Sequence, residues 1–407
     1  MTARLRNWSA HFLALILAIA ILVMFIPRAW INPALFQTGL FLLGCAWAIA
    51  MAIRPFDLRF STPMVSLACI VVWCLVQLAA NWTMGRADTE VSVLAWLGNL
   101  LAFFLAMQVC ASPRVRRQFL DALLYFAFVL SVVSVVQFFG GDTRIFWLFP
   151  TDAAALGPFV NRDQYAAFIE MVLPIALVQA LGWGPRATRF AVISAAMYAS
   201  VIAGASRAGA LLVTAEIVIV PLVLWVKRRS GSEMRRTGAG RTNPEQTRNR
   251  RTAAINVGLL ALVFVAVVGW AVLWNRFQDP DPLKGRREML SSTVAMIHAR
   301  PWTGFGLGTF RAIYPAYASV DFGAVVNHAH NDWAEWAADG GIPFSLLVLS
   351  IALWSVPKAF RTVWGIGAVA VFIHGTVDFP LQKPVLELWL FTLLGAMAAE
   401  SAIAGPN

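Results

Sequence analysis

The sequence predicts an all-α, polytopic integral membrane protein with about twelve transmembrane helices and one large helical external loop. Hydrophobic residues make up 59% of the 407 residues and charged residues only 13%, so a soluble protein of this length would lack enough polar surface. Apolar runs recur along nearly the whole chain, at the ~20 residues that a helix needs to cross a bilayer. The chain is therefore predicted to cross the membrane many times.

Twelve apolar runs are the predicted spans, the eleventh being short or broken. Their approximate limits are 10–26, 34–53, 64–80, 92–110, 119–139, 164–182, 188–204, 208–226, 254–274, 342–357, 363–377 and 384–401. The first run has a basic flank, but no small-residue cleavage site closes it, so it is predicted to be an uncleaved helix. All four cysteines, Cys45, Cys69, Cys74 and Cys110, lie inside predicted spans. Neither a disulfide framework nor a thiolate metal site is predicted.

The formal net charge of +11 comes from basic residues that are distributed as in a membrane protein. No nucleic-acid partner is therefore predicted. Basic residues fall in alternate connections, which the positive-inside rule assigns to the cytoplasm. They are Arg4, Arg6, Arg54, Arg59, Arg114, Arg116, Arg117, Arg186, Arg189, Lys358 and Arg361, together with the arginine-rich loop 227–253. Both termini are therefore predicted to be cytoplasmic. The basic loop is predicted to be disordered and to contact anionic headgroups.

This topology makes residues 275–341 the one external loop large enough to have structure of its own. Within it, apolar residues at helical spacing predict an amphipathic helix over 286–300 that lies at the membrane surface. The spaced residues are Met289, Leu290, Thr293, Val294 and Ile297. Arg286 and Arg287 occupy its first turn, where they oppose the helix dipole unless an anion binds. The glycine-rich run 304–308 follows no predicted strand and is predicted to be a turn.

The segment 327–333 concentrates histidine, asparagine and aspartate between two long apolar runs. Asp332 and Glu335 have capping-box spacing, which predicts the start of a short helix that the following glycine pair ends. His330 and Asn331 then precede a helix N-terminus, whose N–H groups can hold an anion. The segment is therefore the main candidate site.

Four roles for these histidines stay open on the residues alone. His328 and His330 could bind a metal with Asp332 and Glu335, but the HExxH spacing is absent and a third ligand would have to come from elsewhere. They could instead bond backbone carbonyls under a helix, or belong to a proton relay in a transporter. The other relay members would be His374, Asp378 and Glu216. In the fourth role, one imidazole acts as a general base at neutral pH without a metal.

The other polar residues predicted on the same side are mostly arginines. They are Arg144, Arg162, Arg207, Arg276, Arg286, Arg287, Arg300 and Arg311. Arginine is permanently charged and offers forked donors to phosphate oxygens. One neutral base with several arginines suits displacement of a diphosphate, because the arginines can stabilise the leaving group as a metal does elsewhere. A lipid diphosphate would be the natural membrane-embedded donor.

Two acidic patterns would indicate a different chemistry. Asp279-x-Asp281 has the spacing of metal-dependent glycosyltransferases, but it follows a membrane helix and lies among prolines, so it is predicted to be a turn. Residues 27–33, the first external loop, contain no Asp or Glu. A carboxylate base in that loop, as many lipid-linked sugar transferases have, is therefore excluded.

Five sequence elements between residues 155 and 400 occur together. They are Gly157-Pro158-Phe159-Val160-Asn161-Arg162-Asp163, Ser206-Arg207-Ala208-Gly209, Gly285-Arg286 with Pro301 and Gly304-x-Gly306-x-Gly308-x-Phe310, His330-Asn331 with Gly340, and His374 with Asp378-Phe379-Pro380. In their order and membrane placement they resemble the O-antigen ligase and O-antigen polymerase superfamily of bacterial envelope glycosyltransferases. Two positions depart from the family pattern: Asp163 stands where Asn is usual, and His328 adds a second imidazole.

The resemblance implies metal-independent, inverting transfer of a glycan from undecaprenyl diphosphate to an acceptor hydroxyl, with no cofactor. Carried over by motif, His330 would be the general base, and Arg207 and Arg286 would bind the diphosphate. The substrate-binding candidates are Asn161, Arg162, Arg287, Arg311, His328, Asn331, His374 and Asp378. The protein would then lie in the bacterial inner membrane with its site at the periplasmic face.

This hypothesis divides the chain into three parts: helices one to nine in residues 1–274, a periplasmic loop carrying the active site in 275–341, and helices ten to twelve in 342–407. The acceptor stays open among lipid A core, a growing polysaccharide and a glycoprotein. The alternative is a transporter or flippase for a lipid-linked sugar or an anion, in which the arginines bind substrate without bond cleavage. No internal repeat relates the two halves, and the polar cluster lies outside the predicted spans, so the enzyme is favoured.

Overall fold

The computed structural model describes residues 2–26, 31–141, 143–151, 155–182, 185–236, 258, 274–275, 277–278 and 284–401. Over these residues the regular secondary structure is helical, apart from a short hairpin of β1 (Arg144–Ile145) and β2 (Phe149–Pro150) and an isolated bridge between Leu156 and Phe159. The all-α prediction is therefore confirmed. Several predicted features lie outside the described residues: Arg276, the Asp279-x-Asp281 turn, residues 237–253 of the basic loop and most of the span 254–274.

Thirteen α-helices are present in the described residues. The first eight are α1 (Thr2–Leu22), α2 (Ile31–Ile53), α3 (Thr62–Ala79), α4 (Arg86–Val109), α5 (Pro113–Phe139), α6 (Arg162–Ala180), α7 (Pro185–Gly204) and α8 (Arg207–Arg236). The other five are α9 (Lys284–Ala299), α10 (Phe310–Ile313), α11 (Asp332–Thr362), α12 (Ile366–His374) and α13 (Pro384–Ser401). Short 3-10 helices follow α10 at Tyr314–Ala316 and α12 at Pro380–Gln382. Gly341 kinks α11 with φ 76° and ψ 174°, which confirms the break predicted at the glycine pair.

Eight helices of the described residues are long and apolar enough to cross a membrane: α1 to α5, α7, α8 and α11. The protein is therefore an integral membrane protein, as predicted. The predicted spans 164–182 and 384–401 correspond to α6 and α13. In the predicted span 363–377, α12 has only 9 residues, about 14 Å of helix, so this run is short as predicted. The count of twelve spans and the side on which each loop lies stay predictions.

The described chain forms two compact units, and the first comprises Met1–Phe119, Pro280–Lys358 and Val371–Asn407. At its centre α4 packs along α13, while α1, α2 and α3 also pack on α4. The ring of Trp96 in α4 makes edge contacts with Trp336, Phe344 and Phe391, at centroid distances of 6.5, 5.3 and 5.5 Å. These aromatic contacts hold the first part of α11 on the helix bundle.

Close packing of α4 and α13 depends on Gly395. A Cβ atom at this position would lie 2.2 Å from the backbone oxygen of Phe103, an atom that cannot move without shifting α4. We therefore expect Gly395→Ala to lower the free energy of unfolding by about 1–3 kcal/mol or more. The thermal midpoint of the detergent-solubilised protein measures this loss. Gly98→Ala is the matched control on α4, because its nearest neighbours would be 3.9 Å away; an equal midpoint for both variants would contradict the packing argument.

The second unit comprises Leu120–Asp279 and Ala359–Ala370. Nearly every side chain of α6 is buried, and this helix packs against both α7 and α8. A Cβ on Gly209 would lie 2.2 Å from the Cβ of Ala166, so glycine allows α8 to approach α6 closely. Glu216, which was predicted as a possible relay member, is buried in this unit.

In the first unit, the glycine-rich segment after α9 folds back onto α3 and α11. Positive φ angles of 64°, 108° and 81° occur at Gly304, Gly306 and Gly308. The Leu307 N–H donates to Oε1 of Gln77 at 3.2 Å. Oδ2 of Asp339 accepts from the N–H groups of Gly308 and Phe310 at 3.0 and 3.3 Å. The predicted turn is therefore confirmed, and polar side chains of two helices hold it in place.

The predicted amphipathic helix is present as α9, but protein covers most of its apolar face. Met296 is fully buried, and Met289 and Ile297 pack against the same core. The other residues of that core are Phe305, Phe310, Tyr314, Ala329 and Ala338. Only the outer edge of the apolar face, at Leu290 and Val294, is exposed. The segment after α9 thus covers the side that was expected to meet the membrane.

Candidate active site

Three residues that are distant in the sequence form a connected group in the first unit. Nδ1 of His330 lies 3.1 Å from Oδ1 of Asp378, and Nη2 of Arg286 donates to Oδ2 of Asp378 at 3.0 Å. Because an ionised carboxylate can only accept hydrogen bonds, Nδ1 of His330 carries the proton and donates. A neutral imidazole in this state has its lone pair on Nε2. The imidazole of His330 and the guanidinium of Arg286 therefore share one carboxylate.

Arg286 lies in the first turn of α9, where its charge opposes the helix dipole. Asp378 supplies the anion that this position requires, and Nη1 of Arg286 also donates to the carbonyl of Val377 at 2.8 Å. The exposed fraction is 28% for the Arg286 side chain and 2% for that of Asp378. A ligand can therefore reach the guanidinium, whereas the carboxylate is closed off from solvent.

The backbone holds His330 in a conformation that few residues adopt. Its φ of 51° lies in the left-handed region, where histidine is more frequent than most residues other than glycine. The next turn is fixed because the Asp332 N–H donates to the carbonyls of Gly375 and Asp378 at 2.8 and 3.2 Å. Oδ2 of Asp332 also accepts from the Leu381 N–H at 3.0 Å. The segment before α11 is thereby tied to the segment that carries Asp378.

The predicted capping box of Asp332 and Glu335 is absent. Asn331 caps α11 instead, since its Oδ1 accepts from the Ala334 N–H at 2.9 Å. The Asp332 side chain is engaged by Leu381, and Glu335 points back to the histidine segment. The helix start was therefore predicted at the correct place, but the capping residue was wrong.

Glu335 and Phe379 fix the two histidines in different orientations. Nδ1 of His328 donates to Oε1 of Glu335 at 2.8 Å, and the Ala329 N–H donates to Oε2 at 2.7 Å. The ring of His328 stacks on Phe379 with a centroid distance of 4.5 Å and an interplanar angle of 21°. The ring of His330 meets the same phenyl ring edge-on, at 4.6 Å and 87°. The carboxylate of Glu335 and the ring of Phe379 therefore fix the orientation of the segment 328–330.

Lys383 lies next to this pair of rings, with Nζ 6.0 Å from the centroid of Phe379. Burial lowers the pKa of Lys383, and the negative charge of Glu335 acts in the opposite direction. Sequence reasoning missed Lys383 and gave Phe379 no role beyond its place in a motif. A Lys four residues after a Phe is too common a pattern to have revealed this contact.

Glu335→Gln tests the anchoring of the histidine segment. An amide cannot offer two acceptor oxygens to His328 and Ala329, so one buried donor loses its partner. We expect the free energy of unfolding to fall by about 2 kcal/mol, measured as a lower thermal midpoint. Glu90→Gln is the control, since the ion pair of Glu90 with Arg86 is exposed on both sides. If both variants melt together with the unsubstituted protein, Glu335 does not anchor the segment.

The remaining predicted residues of the first unit surround this group in different ways. Nδ2 of Asn331 donates to the Thr376 carbonyl at 2.7 Å, and the carbonyl of His374 accepts from the Asp378 N–H at 3.1 Å. Both therefore help to fix the backbone beside Asp378. Arg287 on α9 and Arg311 on α10 are exposed.

In the second unit, two of the predicted motifs meet. Oδ1 of Asn161 caps α6 by accepting from the Asp163 N–H at 2.8 Å. The Ser206 hydroxyl donates to Oδ1 of Asp163 at 2.5 Å and accepts from the Gly209 N–H at 3.0 Å. The start of α6 and the start of α8 are thus connected side chain to side chain. Asp163, the position that departs from the family pattern, is the residue that connects them.

Arg207 is the first residue of α8, and Arg162 is the first residue of α6. Arg207 is partly buried and Arg162 is exposed. Each arginine thus lies at the N-terminus of a helix, where backbone N–H groups favour the binding of anions. They are part of the second unit, whereas His330, Asp378 and Arg286 are part of the first.

The fold and these side chains define a polytopic, all-helical membrane protein that carries a His-Asp-Arg group. A family model described as O-antigen ligase matches residues 190–349. This match confirms the resemblance predicted from the motifs. The matched residues include α8, α9 and the histidine segment before α11. No curated protein matches the sequence.

Proposed function

We propose that this protein is a membrane glycosyltransferase of the O-antigen ligase or polymerase type, which transfers a glycan from undecaprenyl diphosphate to an acceptor hydroxyl. The observation that carries the proposal is the pairing of one carboxylate, Asp378, with both His330 and Arg286. This arrangement joins a base for the acceptor to a cation for the leaving group. The family match supports the same class of enzyme.

His330 acts as the general base in this mechanism. Its Nε2 takes the proton of the acceptor hydroxyl while the oxygen attacks the anomeric carbon of the donor. The bond from that carbon to the diphosphate oxygen breaks, and the diphosphate leaves with the electron pair. Attack opposite the leaving group inverts the anomeric configuration. Asp378 keeps Nδ1 protonated and stabilises the imidazolium that forms, the role that an aspartate has beside a catalytic histidine in hydrolases.

Arg286 stabilises the negative charge that develops on the leaving diphosphate. A guanidinium at a partly exposed position can bind phosphate oxygens through two parallel N–H donors. Its orientation is already fixed by Asp378 and the Val377 carbonyl, so little reorganisation is needed when charge develops. The resemblance makes Arg207 a further candidate for diphosphate binding.

The partners follow from this chemistry. The donor is an undecaprenyl-diphosphate-linked oligosaccharide that enters laterally from the lipid of the bacterial inner membrane. The site faces the periplasm and both termini face the cytoplasm, which the basic residues in alternate connections support. The acceptor is a saccharide of the lipid A core, a polysaccharide or a glycoprotein.

The proposal is tested by following a labelled undecaprenyl diphosphate oligosaccharide with the purified protein in proteoliposomes. The expected result is release of undecaprenyl diphosphate together with a glycosylated product, once the correct acceptor hydroxyl is supplied. Candidate acceptors are added one at a time on the outer side. Movement of intact donor across the bilayer, with no product from any acceptor, would contradict the enzyme and support the transporter.

A further inference from the structure

We infer that α9 lies along a bilayer surface and that its outer edge, formed by Leu290 and Val294 together with Trp302, inserts among lipid headgroups. The occupant of this edge is membrane lipid. Both ends of α9 are attached to other segments, and Leu290, Val294 and Trp302 are exposed. This placement of α9 does not depend on the proposed glycosyl transfer.

The C-terminal end of α9 is attached at the level where α3 ends. Nη1 of Arg300 donates to the carbonyl of Trp82 at 3.1 Å, and Trp82 follows shortly after the last residue of α3, Ala79. Since α3 is long and apolar enough to cross a membrane, its end marks the depth of a bilayer surface. The end of α9 therefore lies close to that depth.

A second contact gives the same depth. The Ile342 N–H donates to the carbonyl of Pro301 at 2.8 Å, just after the kink that Gly341 makes in α11. The part of α11 after this kink is the apolar part of a helix long enough to cross a membrane. Trp302 is therefore held beside the end of a second membrane helix.

The N-terminal end of α9 is attached as well. Nη1 of Arg286 donates to the carbonyl of Val377 at 2.8 Å, shortly after α12 ends at His374. The 16 residues of α9 make a helix of about 24 Å, and both of its ends are bound to segments that end apolar helices. The contacts at both ends therefore hold α9 against the protein, so this helix does not project freely from it.

The exposed side chains of α9, and that of Trp302 just after its C-terminal attachment, fit a lipid interface. The exposed fraction is 37% for Leu290, 41% for Val294 and 67% for Trp302. Leu290 and Val294 are four residues apart and so share one side of α9, and Arg287 one turn earlier is exposed too. Tryptophan is enriched at the headgroup level, and an arginine at this depth can pair with lipid phosphates. The exposed apolar side chains and the arginine beside them therefore both favour membrane lipid as the partner of this edge.

Depth-sensitive labelling of the full-length protein in lipid nanodiscs tests this inference. The exposed thiols Cys45 and Cys69 are first replaced by Ala, and a single nitrobenzoxadiazole label is attached at Val294→Cys. Ala295→Cys is the matched control, because it is also exposed but lies about 100° further round the helix. Leu290→Cys provides a second test position if the first variant folds poorly.

The expected result is a blue-shifted emission for the label at Val294 and a loss of its emission when the nanodisc contains headgroup-level nitroxide lipid. The label at Ala295 should remain water-like and open to quenching by iodide. Equal, water-like emission and equal iodide quenching at both positions would overturn the inference. Shielding of Val294 that appears only as the protein concentration rises would also overturn it, because the occupant would then be a second copy of the chain.

Discussion

Replacement of His330 by Ala is expected to lower glycan transfer by about 10²–10⁴-fold while the protein stays folded in the membrane. In the proposed mechanism the imidazole accepts the proton of the attacking hydroxyl, and the Asp378 carboxylate contacts its Nδ1. Without it the acceptor must attack while still protonated. The rate is measured with donor and acceptor both saturating in nanodiscs, and folding is measured by the thermal midpoint.

Two further variants separate the chemical role of His330 from a structural one. His330→Asn tolerates the left-handed backbone at φ 51° but supplies no base, so it should lose activity as His330→Ala does and keep the midpoint. His298→Ala removes an exposed imidazole from α9 and should leave transfer unchanged. Full activity of His330→Asn would contradict the assignment of the base. Failure of both His330 variants to insert in the membrane would support the structural role.

Arg286→Lys is expected to lower transfer by about 10²–10³-fold, even though the positive charge is retained. Lysine offers a single point charge and cannot make the forked contacts of a guanidinium to a diphosphate. It also cannot bond Val377 and Asp378 with the same planar geometry. Donor concentration is varied in the assay, so that weaker donor binding and a slower chemical step are distinguished.

Arg287→Lys is the matched control for this substitution. Arg287 is adjacent in the sequence but exposed, whereas Arg286 is partly buried against Asp378. We expect Arg287→Lys to retain most of the activity. The reverse pattern, a normal Arg286→Lys and an inactive Arg287→Lys, would assign the diphosphate to the neighbouring residue.

The all-helical fold and the positions of most helices could be predicted, because the length of an apolar run and the position of a glycine can be read from the local sequence. The break at Gly341 and the turn at Gly304–Gly308 each depend on positive φ angles that glycine permits. The face of α9 could not be predicted in this way. Its apolar residues have the same spacing whether they meet lipid or protein, and only the tertiary fold shows that the segment around Phe310 covers most of them.

The candidate site was predicted in part. His330, Arg286 and Asp378 were each predicted as site residues. In the sequence, however, His330 lies 48 positions and Arg286 92 positions before Asp378, and no local spacing shows that they pair. The resemblance to the O-antigen ligase family supplied the residues and left their contacts open. Arg207 and Asn161 are described within the second unit, and their roles stay predictions.

Glu335 and Phe379 show why the rest was missed. Glu335 was expected to close a capping box, because its spacing from Asp332 fits that motif as well as it fits a bond to the histidine segment. The structure pairs it with His328 and Ala329. Phe379 is apolar, and nothing in the sequence indicates that two imidazoles contact its ring.

We expect this protein to transfer a glycan with inversion, using a histidine base and an arginine and no metal. The most direct measurement is transfer by the purified protein in nanodiscs with excess chelator, using a donor of known anomeric configuration and analysing the product linkage by NMR. We expect inverted product at a rate that chelator does not change. Product with retained configuration, or transfer that stops with chelator and returns with a divalent metal, would contradict the account.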